Sequence, residues 1–304
     1  LRCSYCMPAE GLDWLPHESV LTDDEVIQLI TVAVERLGVL EVRFTGGEPL
    51  LRPGLERIVA ATASLGAHTA LTTNGIGLAR RATALAEAGL QRVNVSLDTL
   101  SAERFAQLTR RPRLDDVIAG LQAASDAGLR PVRVNAVLLR DVNDDEAPAL
   151  LEYCLQHGYE LRFIEQMPLD PMHSWDRESF VTAAEILSML STRWSLEPVT
   201  DGRGGEPAET WLVDGGPARV GIIASMTRPF CAACNRTRLT ADGQIRNCLF
   251  ALEEPDLRGA LRRGAKADEV AVLWKAAMAG KGAGHGVDDD RFRQPDRPMS
   301  AIGG

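Results

Sequence analysis

The strongest constraint in this sequence is an alternation in its first half, where short β-rich runs and helical stripes follow one another at near-regular intervals. Thr22 is placed to cap a helix whose apolar stripe is Val26, Leu29, Ile30, Ala33, Val34 and Leu37, and Gly38 is placed to end it. β-rich runs at 40–44, 67–71, 92–97, 132–139 and 160–164 alternate with helical patterns at 53–65, 79–88, 114–127 and 144–157. Pro53 suits the first turn of one of these helices and Gly128 stops another. Five or six β/α units in a row predict a parallel sheet with helical crossovers. Periodicity alone does not choose between an open sheet and a partial barrel.

Near Pro168 the pattern changes. A helix is predicted over 182–192, then a loop with Gly202, Gly204, Gly205 and Pro207, short strands over 210–213 and 219–223, and helices over 256–263 and 267–279. The end, 280–304, is Gly- and Pro-rich without periodicity. Net charge is −9 and the pI about 5.2, which argues against a general nucleic-acid surface. One phosphorylated small molecule remains compatible, in a compact site lined by arginines. No run reaches the roughly 18 uncharged apolar residues of a membrane span. The opening Leu1-Arg2-Cys3-Ser4-Tyr5-Cys6 has no apolar signal-peptide core, so a cytoplasmic protein without a membrane span is expected.

The six cysteines are Cys3, Cys6, Cys154, Cys231, Cys234 and Cys248. In a large cytosolic chain two C-x-x-C pairs read as metal or redox sites rather than disulfides. Cys154, in a helical stretch, reads as a buried inert thiol. Cys3 and Cys6 alone suit zinc or thiol–disulfide chemistry equally well. About forty residues later Val42-Arg43-Phe44-Thr45-Gly46-Gly47-Glu48-Pro49 runs from a strand into a glycine turn, where bare backbone admits a ligand and Glu48 brings charge. A Gly-Gly turn alone is more often a tight bend without function. The second set is C-x2-C-x13-C, at Cys231, Cys234 and Cys248, with Arg236 and Arg238 alternating behind it. A structural zinc ribbon is the competing reading, but such sites are closed by four ligands and only three thiols are here, with His285 the sole later candidate.

Together these residues resemble radical S-adenosylmethionine (SAM) enzymes, whose motif is C-x-x-x-C-x-x-C with an aromatic before the last cysteine. Cys3, Tyr5 and Cys6 match its second half; the first cysteine is expected two residues ahead of Leu1, the chain being N-terminally truncated. The resemblance implies a [4Fe–4S] cluster with one iron open to SAM, and places Tyr5, Gly47, Ser96 and Met167 around that cofactor. The second cysteine set is similar to the GTP 3′,8-cyclase branch of the superfamily. So are Leu71-Thr72-Thr73-Asn74-Gly75, Asn94 to Asp98, Phe163 to Pro168 and Arg297-Pro298-Met299-Ser300-Ala301-Ile302-Gly303-Gly304.

That branch implies an α/β fold: a partial (β/α)6 TIM-like barrel over 1–168, then a smaller C-terminal α+β domain over 169–304 carrying a second [4Fe–4S] cluster. It implies metal ligation by Cys3, Cys6, Cys231, Cys234 and Cys248, and GTP lined by Arg43, Thr72, Arg133, Arg236, Thr237 and Arg238. Arg133 stands where the branch usually has Lys, keeping charge but exchanging an ammonium for a planar fork. A further GTP-binding arginine is expected ahead of Leu1. The closing Gly303-Gly304 is expected to reach the active site. The implied reaction converts GTP to 3′,8-cyclo-7,8-dihydro-GTP, the first step of molybdenum cofactor synthesis, and draws on an electron donor. The oligomeric state, a homodimer included, is left open. The alternatives are a radical SAM peptide-modifying enzyme with an auxiliary cluster, and a non-enzymatic scaffold stapled by zinc.

Overall fold

The computed structural model describes residues 1–13, 15–200, 205–290 and 292–302; Gly202, Gly204 and the closing Gly303-Gly304 lie outside them. Helix α1 (Asp23–Leu37) begins where Thr22 accepts the Glu25 amide and Glu25 returns the bond, and ends at Gly38 with φ 69°. Then follow β1 (Glu41–Phe44), α2 (Leu55–Ser64), β2 (His68–Thr73), α3 (Leu78–Glu87), β3 (Arg92–Ser96), α4 (Ala102–Thr109), α5 (Leu114–Asp126), β4 (Val132–Val137), α6 (Ala147–His157) and β5 (Glu160–Ile164). The second half adds α7 (Ala183–Ser191), β6 (Leu196–Pro198), β7 (Glu209–Val213), β8 (Arg219–Ile223), β9 (Arg238–Leu239), β10 (Ile245–Arg246), α8 (Leu257–Arg262), α9 (Ala267–Ala279) and α10 (Met299–Ile302).

Two expectations about helices need correction. Pro53 does not open α2: the Glu48 carboxylate accepts the Leu50 amide and draws Pro49–Leu51 into a 3-10 turn, so α2 starts only after Gly54. Helix α4 was not anticipated, because eight residues hold too little of a stripe to read; Ser101 caps it by accepting the Arg104 amide.

One sheet organises the molecule, in the order β1-β2-β3-β4-β5-β8-β7-β6. Its first six strands are parallel and the last two antiparallel. The sixth parallel strand, β8, lies well beyond residue 168, so the sheet itself crosses the expected division of the chain. Val93, Val95, Val134, Ala136, Leu161, Phe163, Val220 and Ile222 form the core beneath the helices. Alternate residues face the other way: Asn94 pairs in register with Arg133, Ser96 with Asn135, Asn135 with Arg162, and Arg162 with Gly221. That face is polar and cationic, a lumen rather than a second core. On a flat sheet β1 and β5 would stand about 19 Å apart, yet Arg43 acts electrostatically on Arg162, as a sheet curling into an open partial barrel allows. A second core joins Leu29, Val32 and Ala33 of α1 to Ile245, Leu257, Val270 and Trp274, tying the C-terminal helices to the start of the chain. Among the described residues no helix is long and apolar enough to cross a membrane.

Candidate active site at the strand ends

Cys3 and Cys6 lie on a turn in which the Cys6 and Met7 amides donate to the Cys3 carbonyl at 3.1 and 3.0 Å. The unanticipated α4 holds this turn: Leu108 accepts the Ser4 amide at 2.8 Å and Thr109 the Arg2 amide at 3.0 Å. Arg110, in the left-handed region at φ 56°, donates to the carbonyls of Arg2 and Met7 at 2.8 and 3.0 Å. The two thiols share a hydrogen bond, which with burial raises Cys3 and leaves Cys6 lowered. Tyr5 donates its hydroxyl to Asp98 Oδ2 at 2.8 Å, while Asp98 Oδ1 accepts the Val137 amide at 2.9 Å. Burial pushes Asp98 up to about 6 against both of those bonds. The loop is thereby rooted at the carboxyl ends of β3 and β4, where parallel α/β folds place ligands.

The glycine turn after β1 is used differently from its first reading. Gly46 adopts φ 140°, open to glycine, and a Cβ on Gly47 would stand 3.2 Å from the Ser300 carbonyl. Glu48 does not present free charge there: its carboxylate accepts Thr73 Oγ1 at 2.7 Å and the Asn74 amide at 2.8 Å, fastening β1 to β2.

Several arginines face the lumen. Arg133 Nε donates to Glu160 at 2.6 Å and Arg43 to Glu41 at 3.0 Å, while Arg92 also pairs with Glu41. Arg162 sits within a cavity bounded by Arg133, Thr210, Arg219 and Gly221, and Gly221 leaves it room, since a Cβ there would meet Arg162 Cγ at 3.1 Å. Burial, joined by the nearby Arg133 and Arg43, brings Arg162 down to about 10. Thr72 accepts Asn94 Nδ2 at 3.1 Å. Asn94 Oδ1, Asn135 Oδ1, Arg43 Nε and Arg236 Nε are buried with no partner among the described residues.

Cys231, Cys234 and Cys248 line one cavity of about 570 Å3, with Arg236, Arg238, Asn247, Lys281, His285 and Met167. Cys231 opens a 3-10 turn soon after β8. Lys281 Nζ donates at 2.7 Å to the carbonyls of both Arg236 and Asn247, closing the loop. Burial opposes ionisation of Cys234, but the Arg236 amide and guanidinium and the Lys281 ammonium prevail and bring it down to about 7. Burial and the other two cysteines push Cys231 up. Burial, Arg236 and Arg43 lower Arg238 to about 10 against the charges of Cys248 and Cys234. No carboxylate pairs with Arg238 among the described residues. Nor, among them, do three His, Cys, Asp or Glu side chains converge as a single metal ion requires. Three thiols lining an open cavity are donors of the kind an iron–sulfur cluster takes.

The family model of the radical SAM superfamily matches residues 1–154, and that of Molybdenum Cofactor Synthesis C matches 159–287. A GTP 3′,8-cyclase of Streptomyces coelicolor is 63% identical over 307 residues, covering all of this chain and 90% of its own length. One from a Mycobacterium species is 61% identical over 306 residues, again all of this chain and 87% of its own. The chain belongs to the GTP 3′,8-cyclase family. It is thus an enzyme of the radical SAM class, and membership implies a [4Fe–4S] cluster and SAM. Among solved structures, Streptococcus suis SuiB bound to its precursor peptide SuiA has a TM-score of 0.52 at 19% identity, covering 63% of this chain and 42% of its own, which speaks to the fold alone.

For a GTP 3′,8-cyclase family member, the residues gather unevenly. Cys3, Cys6 and Tyr5 share the first site and Gly47 faces Ser300, whereas Met167 lines the second cavity. Ser96 closes β3 opposite Asn135. Thr237 accepts the Trp274 indole at 2.9 Å, which ties it to the C-terminal core and leaves its hydroxyl able to donate. Sequence reasoning missed Arg162, Asp98 and Lys281. Arg162 had a signal: a strand buried on both faces should be continuously apolar, and Glu160-Leu161-Arg162-Phe163-Ile164 alternates instead. Lys281, in an aperiodic stretch, had none.

Proposed function

We propose that this enzyme cyclises GTP to 3′,8-cyclo-7,8-dihydro-GTP, the first step of molybdenum cofactor synthesis. The observation that carries it, beyond family membership, is the lumen: Arg162 and Arg238 are both held near 10 by burial and by other guanidinium groups. Crowded, desolvated cations are costly until an anion arrives, and a triphosphate supplies several charges with forked acceptors. Arg43, Arg133, Arg162, Arg236 and Arg238 would hold it, with Thr72 and the Asn94 and Asn135 carbonyl oxygens left to meet N–H or O–H groups of the base and ribose. Arg43 and Arg133 already have carboxylate partners that neutralise part of their charge, so Arg162 and Arg238 have the most to gain.

The Cys3–Cys6 loop would hold two corners of the first cluster, with Tyr5, Gly47, Ser96 and Met167 around SAM. When bound there, the cluster supplies the electron that splits SAM to a 5′-deoxyadenosyl radical. Cys231, Cys234 and Cys248 suit a second [4Fe–4S] cluster, leaving one iron for the guanine. Lys281 and Arg236 favour the thiolate that such ligation needs. The reaction moves one hydrogen from C3′ of GTP to 5′-deoxyadenosine, joins C3′ to C8, and takes up one electron and one proton. The product therefore has the mass of GTP. The protein's part is positioning and keeping water away from the radicals.

Full-length enzyme, reduced anaerobically with SAM and GTP, is expected to form equal amounts of 5′-deoxyadenosine and a GTP isomer of new retention time. Intact GTP alongside accumulating 5′-deoxyadenosine rejects this reading; modification of a supplied peptide would favour the peptide-modifying class.

A further inference from the structure

The C-terminal segment is fastened at a place the chemistry does not explain. Arg297 donates from both terminal nitrogens to Asp242, at 2.8 and 3.0 Å, and stands 2.9 Å from Glu254. Asp242 lies in the turn of the hairpin β9–β10 and Glu254 follows it, and the hairpin carries Arg238 and runs into Cys248. Glu254 is braced from behind by Arg246, which is 2% exposed and also donates to the Leu249 carbonyl at 2.9 Å. Thr240 braces Asp242 at 2.6 Å. Two residues beyond Arg297, the Met299 amide donates to the Leu169 carbonyl at 3.1 Å, and the Ser300 carbonyl then lies against Gly47.

We infer that Arg297 is a positioning residue: by clamping Asp242 and Glu254 it registers the C-terminal segment to the second-site hairpin, and so sets Ser300 over the glycine turn of the first site. A planar fork spanning two carboxylates defines orientation as well as distance, which Lys cannot reproduce. The clamp is only 26% exposed at Arg297 and less at both carboxylates, so salt screens it incompletely. Among the described residues of 280–292 there is no helix or strand, and Lys281 is tied to the Arg236 and Asn247 carbonyls. The clamp shares the seating of the segment with the Leu169 bond and with Gln294, which donates to the Asp170 carbonyl at 2.5 Å, but of these it alone reaches the second-site hairpin.

Hydrogen exchange on the reconstituted full-length protein tests this. In Arg297→Ala, amides 299–302 are expected to exchange about ten-fold faster, the scale of losing one well-formed charged contact, with β2–β5 unchanged. Arg297→Lys should fall between. Asp242→Asn with Glu254→Gln approaches the clamp from the other side and should match Arg297→Ala, covering the case in which that variant folds poorly. More 5′-deoxyadenosine should form per molecule of cyclised GTP in each. Unchanged exchange at 299–302, or faster exchange with an unchanged product ratio, overturns the assignment. The ratio rests on the proposed function and the exchange does not: wild type that makes no GTP product sinks the former while exchange still judges the clamp.

Discussion

At Arg162 a buried charge carries the proposed function, and the residue is open to a direct test. Glu206 stands 3.9 Å away and Glu160, already paired with Arg133, also favours the Arg162 charge, while burial, Arg133 and Arg43 oppose it. Arg162→Met should thus leave the melting temperature without GTP equal or higher, since removing a poorly paired buried charge is often neutral or stabilising. GTP affinity by calorimetry should fall about ten- to a hundred-fold, as loss of one charged hydrogen-bonding group does. A lower melting temperature with unchanged affinity would make Arg162 structural. Cys234 gives a second test at this scale. In the metal-free protein, against burial, Arg236 and Lys281 bring its thiol down to about 7, while burial and the other two cysteines push Cys231 up. Alkylation at pH 7.5, followed by mass spectrometry, should mark Cys234 before Cys231, and Arg236→Ala should erase the order.

Helices α1 and α7 begin alike, each with a Thr-x-x-Glu capping box whose glutamate also meets an arginine from elsewhere. The Arg262 bond chiefly holds Glu25 down to about 2, with the Thr22 amide assisting. At Glu185 the Thr182 amide and hydroxyl lead and Arg140 adds, again to about 2. A depressed carboxylate stabilises the fold above its unfolded value of about 4.3. That stability is lost as pH falls from there toward 2. Urea midpoints between pH 5 and 3 should drop less steeply in Glu25→Gln than in wild type. A parallel decline would mean the cap is not linked to folding. The pair is exposed, so the effect at neutral pH is small.

At the scale of the whole molecule, the barrel is left open and the C-terminal half brings its own cysteine set to the strand ends. Trp274 and Val270 of α9 pack on Leu29 and Val32 of α1, so the second half is anchored beside β1. The two sites are then separable in metal content. Full-length protein kept from oxygen should be brown with about eight irons, and Cys231→Ser with Cys248→Ser should keep about four. Loss of all iron in that double variant would show that the sites assemble as one.

Local pattern determined a good deal here. The stripe from Val26 to Leu37, the caps Thr22 and Gly38, and the β-rich run ending at Ile164 each read correctly, because helix periodicity, capping and strand propensity act over a few residues. The spacing of Cys231 and Cys234 was legible for the same reason. Tertiary structure alone decided that β8 would become the sixth parallel strand, that alternate residues of β3–β5 would face a cationic lumen, and that Thr237 would turn to Trp274. It alone seated the Cys3 turn on α4 and Ser300 on Gly47. Those outcomes depend on which distant segments meet, and on the cost of leaving buried charges and backbone groups unpaired, neither of which any short stretch of sequence contains.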